Sequence, residues 1–172
     1  YEVGDASGAL GTDILEMMKI YANANETVES LNAKIAGTTA FQNVSGLSGT
    51  DATNALQTII NQFKLTTEEG YSAGDAITYV GDAITGVAYS LSKDEGDAMR
   101  EIISAVEDAG SVIESAGGSL EWYAAVTGTL AETVNATGSE VGGAMRMITA
   151  RTLQQKEAFD EMNDSGEETE VA

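Results

Sequence analysis

The stretch "GDAITYVGDAITGV", residues 74–87, repeats the pentapeptide GDAIT after seven residues, first at 74–78 and again at 81–85. Its apolar residues Ile77, Val80, Ile84 and Val87 step by 3, 4 and 3, and Leu91 adds a step of 4. That spacing draws one face of a helix that repeats every heptad. The intervening positions hold Gly and Thr, weak helix formers, where a coiled coil usually carries Lys and Glu. A packing seam is thus set among small, weakly charged residues, and the fold has to account for that combination.

The helical period extends in both directions from this stretch. Over residues 9–36, Leu10, Ile14, Met17, Tyr21, Ala24, Val28, Leu31 and Ile35 alternate steps of 4 and 3 without a break. Two apolar positions per heptad make a stripe suited to a coiled coil or bundle. The spacing predicts one long helix, stopped at Gly37 in the position of a C-terminal cap. Residues 37–50 read as a turn-rich connector anchored by Phe41, Val44 and Leu47.

Further helices are expected at about 51–64, 72–91, 94–115 and 120–136, and from 138 to about 162. Ser72 and Ser119 stand as N-caps. Thr66 with Glu69, Ser92 with Glu95 and Thr137 with Glu140 have capping-box spacing. In the last helix Val141, Met145 and Ile148 are expected to face inward. No segment alternates with period 2, so the expected fold is all-α: a long N-terminal heptad helix followed by a compact packet of short helices. Residues 1–50 form the oligomerising helix and connector in this reading, 51–162 the helical core, and 163–172 a frayed acidic tail.

Composition removes several functions. The 172-residue chain carries 28 acidic and 8 basic residues, a formal net charge of −20. Such a chain repels phosphate, so no direct binding of nucleic acid is expected. No apolar run is long enough to span a bilayer. Cys and His are both absent, which removes thiol chemistry, the commonest metal ligand and the commonest general base. Pro is absent as well, which suits a chain that stays helical. The acidic clusters Asp94–Glu95–Asp97 and Glu107–Asp108 read as solvated faces. No EF-hand loop and no strand-linked glycine loop is present. No catalytic, cofactor-binding or metal-binding residue is therefore assigned, and no enzyme activity is expected. Of the neighbours Trp122 and Tyr123, ordinary core packing of both is favoured over one being exposed to a partner.

Residues 117–151, "GGSLEWYAAVTGTLAETVNATGSEVGGAMRMITAR", resemble the core region of the tape-measure (minor tail) proteins of long-tailed phages and prophages of Gram-positive bacteria. The matching pieces are Gly118, Ser119-Leu120-Glu121, "VTGTLAET", "GSEVGGAMRMI" and Arg151. "NALQTIINQFKL" and the helix pair from Ala73 to Gly110 are similar as well, so the resemblance covers roughly residues 50–152. Trp122-Tyr123 depart from it, standing where the family has pairs such as Glu-Leu. The resemblance implies a structural protein of the virion tail, made in the host cytoplasm, that sets tail length during tube assembly and occupies the tail lumen. It implies tail-tube and distal-tail proteins as partners, and no catalytic residue to carry over. An acidic helical adhesin-like module of a bacterial surface is the alternative. Self-association as a trimer or higher oligomer is expected through Leu10, Ile14, Met17, Tyr21, Val28, Leu31 and Ile35, because so narrow a stripe buries too little in a lone helix.

Overall fold

In a computed structural model, residues 11–22 and 27–170 are described, with side chains through Met162. Among the described residues the chain is all-helical. The helices are α1 (Gly11–Tyr21), α2 (Val28–Ser45), α3 (Gly49–Gln62), α4 (Ala73–Ala88), α5 (Glu95–Ser115), α6 (Leu120–Val134) and α7 (Gly138–Glu170).

The expected long N-terminal helix is two helices. Thr27 takes an extended conformation (φ −84°, ψ 152°), and its side chain accepts the N–H of Ser30, so it caps a new helix. α1 then lies against α2 and α3. Asp13 Oδ2 accepts from Gln42 Nε2 at 3.1 Å, and the Thr50 hydroxyl donates to Glu16 Oε2 at 2.8 Å. Gly37 does not end a helix either. It sits inside α2, where a Cβ would stand 2.8 Å from Ile77 Cγ2, and α2 continues to Gly46 (φ +65°), which provides the left-handed cap. The connector of 37–50 is therefore mostly helix. Thr66 and Glu69 begin no helix, and α5 is capped by Asp94 rather than Ser92.

The opening stretch is α4, and its two heptad glycines, Gly74 and Gly81, face α2. Gly74 meets Ala33, Ile77 meets Gly37, and Gly81 meets Phe41. The numbers rise together, so α2 and α4 run parallel. Small residues on both helices thus seat side chains of the other, Ala33 on Gly74 and Ile77 on Gly37, while Val80 and Ile84 are buried in the core. α5 is the central helix. Its buried Met99, Ile102, Val106, Ala109 and Ile113 lie among α3, α4, α6 and α7. No helix of the described residues is long and apolar enough to cross a membrane.

Candidate interaction surface

The best-defined feature outside the core is α7 and the groove beside it. Its start is fixed by the capping box that the sequence marked. The Thr137 N–H donates to Glu140 Oε2 at 2.9 Å, and the Glu140 N–H donates to Thr137 Oγ1 at 3.3 Å. These hydrogen bonds hold the Glu140 carboxyl below its usual range: the backbone bond from Thr137 is the larger cause, its hydroxyl the second. The Gly138 N–H donates to Glu101 Oε2, and the Ser139 hydroxyl to Asp108 Oδ2 at 2.7 Å. Glu107, next to Asp108, has its carboxyl pushed up by burial and then by its neighbour's charge.

Two glycines seat α7 on α5. A Cβ at Gly138 would run into the Glu101 backbone. One at Gly142 would stand 2.8 Å from the Ala105 carbonyl oxygen and 2.9 Å from Asp108 Cβ. The numbers again rise together, so α7 runs parallel to α5. α5 ends at Ser115, and beyond the level of that end α7 continues with its side chains in solvent. Every described side chain from Gln154 to Met162 is exposed, and the backbone is helical to Glu170, past the expected end near 162.

The apolar residues left outside are large ones. Val141 is buried and Met145 half-buried as expected, but Ile148 is 60% exposed, a correction to its inward assignment. Phe159 is 69% exposed and Met162 64%. Together with Thr152 and Gln155 these residues continue the 3–4 spacing along one face. The spacing was legible in the sequence, but the two polar residues at its middle concealed it.

α6 behaves the same way. Leu120, Tyr123, Val126, Leu130 and Val134 stand at steps of 3 and 4 along it, but they do not form one buried face. The structure buries Leu120, Tyr123, Ala124, Thr127, Gly128 and Ala131, and leaves Leu130 and Val134 exposed. Gly128 allows this, since a Cβ there would meet Leu91 at 2.9 Å and Val87 at 3.1 Å. Tyr123 is fully buried and its hydroxyl donates to the Ala105 carbonyl at 2.9 Å; burial pushes its phenol up to about 12. Trp122 is half exposed and shares a groove with Ile113, Gly117, Gly118 and Thr149. The sequence-based preference for packing both residues inside therefore fails for Trp122.

The residues expected to drive self-association divide differently. Ile14, Met17, Tyr21 and Ile35 are buried in the chain's own core. The Tyr21 hydroxyl pairs with Thr38 Oγ1 at 2.6 Å, and burial raises its pKa. Leu31 is half-buried against that core and Val28 is exposed. Leu10 and Ala24 lie outside the described residues. Association through the buried four requires both α1 and the Ile35 face of α2 to leave the core.

One cavity, of about 300 Å³, lies beside the turn after α3. Tyr71 and Tyr79, stacked with ring centroids 5.1 Å apart, and Glu68 and Glu114 line it. Lys64 bridges both carboxylates at 3.0 and 3.1 Å, so each already has a partner within the chain. Arg100 likewise serves the fold, pairing with Asp97 and donating to the Ser45 carbonyl at 3.1 Å. Among the described residues no cluster of three or more carboxylates could hold a metal ion.

The features that remain are helix faces, suited to contact with other protein. No curated protein and no solved structure matches the chain at a significant level. The family described as phage-related minor tail protein matches residues 2–170. With that match over nearly its whole length, the chain belongs to the phage-related minor tail proteins, structural components of the virion tail.

Proposed function

We propose that the chain is part of its phage's tape-measure protein, the component that sets tail length during tube assembly and occupies the tail lumen. The observation that carries this reading is the way the helices touch. Gly138 and Gly142 bring α7 against the backbone of α5, and Gly37, Gly74 and Gly128 leave room for side chains of neighbouring helices to sit directly on their own, so a bundle of them is thin for its length. Within a narrow tube that property matters more than a wide core. The net charge of −20 supports the same reading, since it disfavours adhesion to a nucleic acid that later passes through the channel. The role is structural rather than enzymatic. The tail tube and the distal tail proteins are the partners, and copies of the chain associate within the lumen.

An in-frame deletion in the phage tests the proposal. If the segment lies along the tube as continuous helix at 1.5 Å per residue, removing it shortens the tail by up to about 260 Å. A more compact arrangement gives a smaller but definite shortening. Tails of unchanged length, measured by electron microscopy on assembled particles, refute the role.

A further inference from the structure

We propose that α1 is a detachable latch: it leaves its seat on α2 and α3 as one unit while the helices from α2 to α7 stay folded. The inference goes beyond the tape-measure reading and does not rest on it.

The seat is built differently from the rest of the core. α1 runs antiparallel to α2, with Asp13 at Gln42, Met17 at Thr39 and Tyr21 at Thr38. Thr38, Thr39 and Thr53 are three of the five polar residues buried among the described residues, and each of the three meets Met17 or Tyr21. The buried face of α5, by contrast, is apolar: Met99, Ile102, Val106, Ala109 and Ile113. Opening a face of that kind exposes hydrocarbon to water, whereas a face of hydroxyls exposes groups that water can bind.

The bared seat needs nothing from α1. The Thr39 hydroxyl donates to the Ile35 carbonyl at 2.8 Å, and the Thr53 hydroxyl to the Gly49 carbonyl at 2.7 Å. Both bonds lie within the seat's own helices, so they persist when α1 goes. Gln42 even gains. Its Nε2 donates to Asp13, but its Oε1 is buried with no partner in the chain, and that cost of docking ends when water reaches the amide. The packing of the central helix α5 with α3, α4, α6 and α7 is made without α1. α1 itself has 11 residues, too few to hold a helix alone in water. Undocking and unwinding are therefore a single event, and amide exchange reads it directly.

Native-state hydrogen exchange on the 172-residue chain tests the latch. The amides of Met17 to Tyr21 are expected to exchange at least about a hundredfold faster, relative to their unfolded-chain rates, than those of Ile102 to Val106. Equal protection in the two helices means that α1 opens only when the whole chain unfolds, and overturns the proposal. A cross-link separates release from fraying. A Cβ on Gly49 would stand 3.1 Å from Asp13 Cβ, close to the separation of about 3.8 Å in a disulfide, and the chain has no other cysteine to interfere. Oxidised Asp13→Cys/Gly49→Cys is expected to slow exchange in α1 at least about tenfold, and reduction to restore the fast rate. Exchange in α1 that stays fast in the oxidised chain shows unwinding on the seat rather than release from it, and overturns the proposal as well.

Discussion

Gly142 and Gly143 are neighbours in the same helix, yet replacing each with Ala should move stability in opposite directions. In a helix interior Gly→Ala alone gains about 0.5–1 kcal/mol, because Ala loses less backbone freedom on folding. At Gly143 a Cβ meets nothing within 4 Å, so Gly143→Ala should keep that gain. At Gly142 the new methyl would stand 2.8 Å from the Ala105 carbonyl oxygen and 2.9 Å from Ala105 Cα. Those are backbone atoms of the central helix, and no rotamer change clears them. α7 must move away from α5 by several tenths of an ångström or more, and overpacking of that kind costs about 1–3 kcal/mol. The two variants should therefore differ by about 1–3 kcal/mol, with Gly143→Ala above the wild type and Gly142→Ala level with it or below. For a domain of this size each kcal/mol moves the melting midpoint by about 2–4 °C. Thermal melts followed at 222 nm and by fluorescence of Trp122, which borders the same groove as Thr149, read the difference. A Gly142→Ala chain stabilised as much as Gly143→Ala would refute the close α5–α7 contact.

Three more outcomes follow from the same geometry. Thr137→Ala removes the hydroxyl that accepts the Glu140 N–H and should cost about 1 kcal/mol in urea unfolding; an unchanged midpoint would mean that α7 starts elsewhere. The Glu140 carboxyl is held below its ordinary value by hydrogen bonds to its ionised form, so its contribution is present above that ordinary value and lost as pH falls through the folded one. Melting midpoints between pH 3 and 6 should accordingly fall less steeply for Glu140→Gln than for the wild type. Met17→Ala empties a fully buried position between α1 and α2 and should cost about 2–5 kcal/mol; an unperturbed melt would place α1 off the core.

Fold class was legible because helical period, absence of Pro and capping residues all agree. The Ser72, Ser119 and Thr137–Glu140 signals each open a helix where the sequence put it. The errors share one cause. Pattern reading assigns the buried face to the largest apolar residues, and in this chain several interfaces are made by the smallest. Gly37 was read as a stop because glycine usually is one; it is a contact point for Ile77. Ile148 was assigned inward because it is large, and Leu130 and Val134 are large yet exposed, whereas Gly128 and Gly142 mark the true contact faces. The break near Thr27 was hidden because the 4–3 spacing runs through it unaltered. The exposed seam of α7 was missed because Thr152 and Gln155 occupy two of its positions.

The parallel seating of α7 on α5 also has a mechanical meaning. α7 is a long lever whose far end stands clear of the packet, and its anchored part touches α5 from Gly138 to the level of Thr149. Tension applied at that far end along the helix axis loads the contact in shear, so its glycine steps resist sliding together rather than peeling one after another. A pull directed sideways would instead open the same contact like a zipper, at a much smaller force. The packet should therefore hold firm against axial stretching and yield readily to bending.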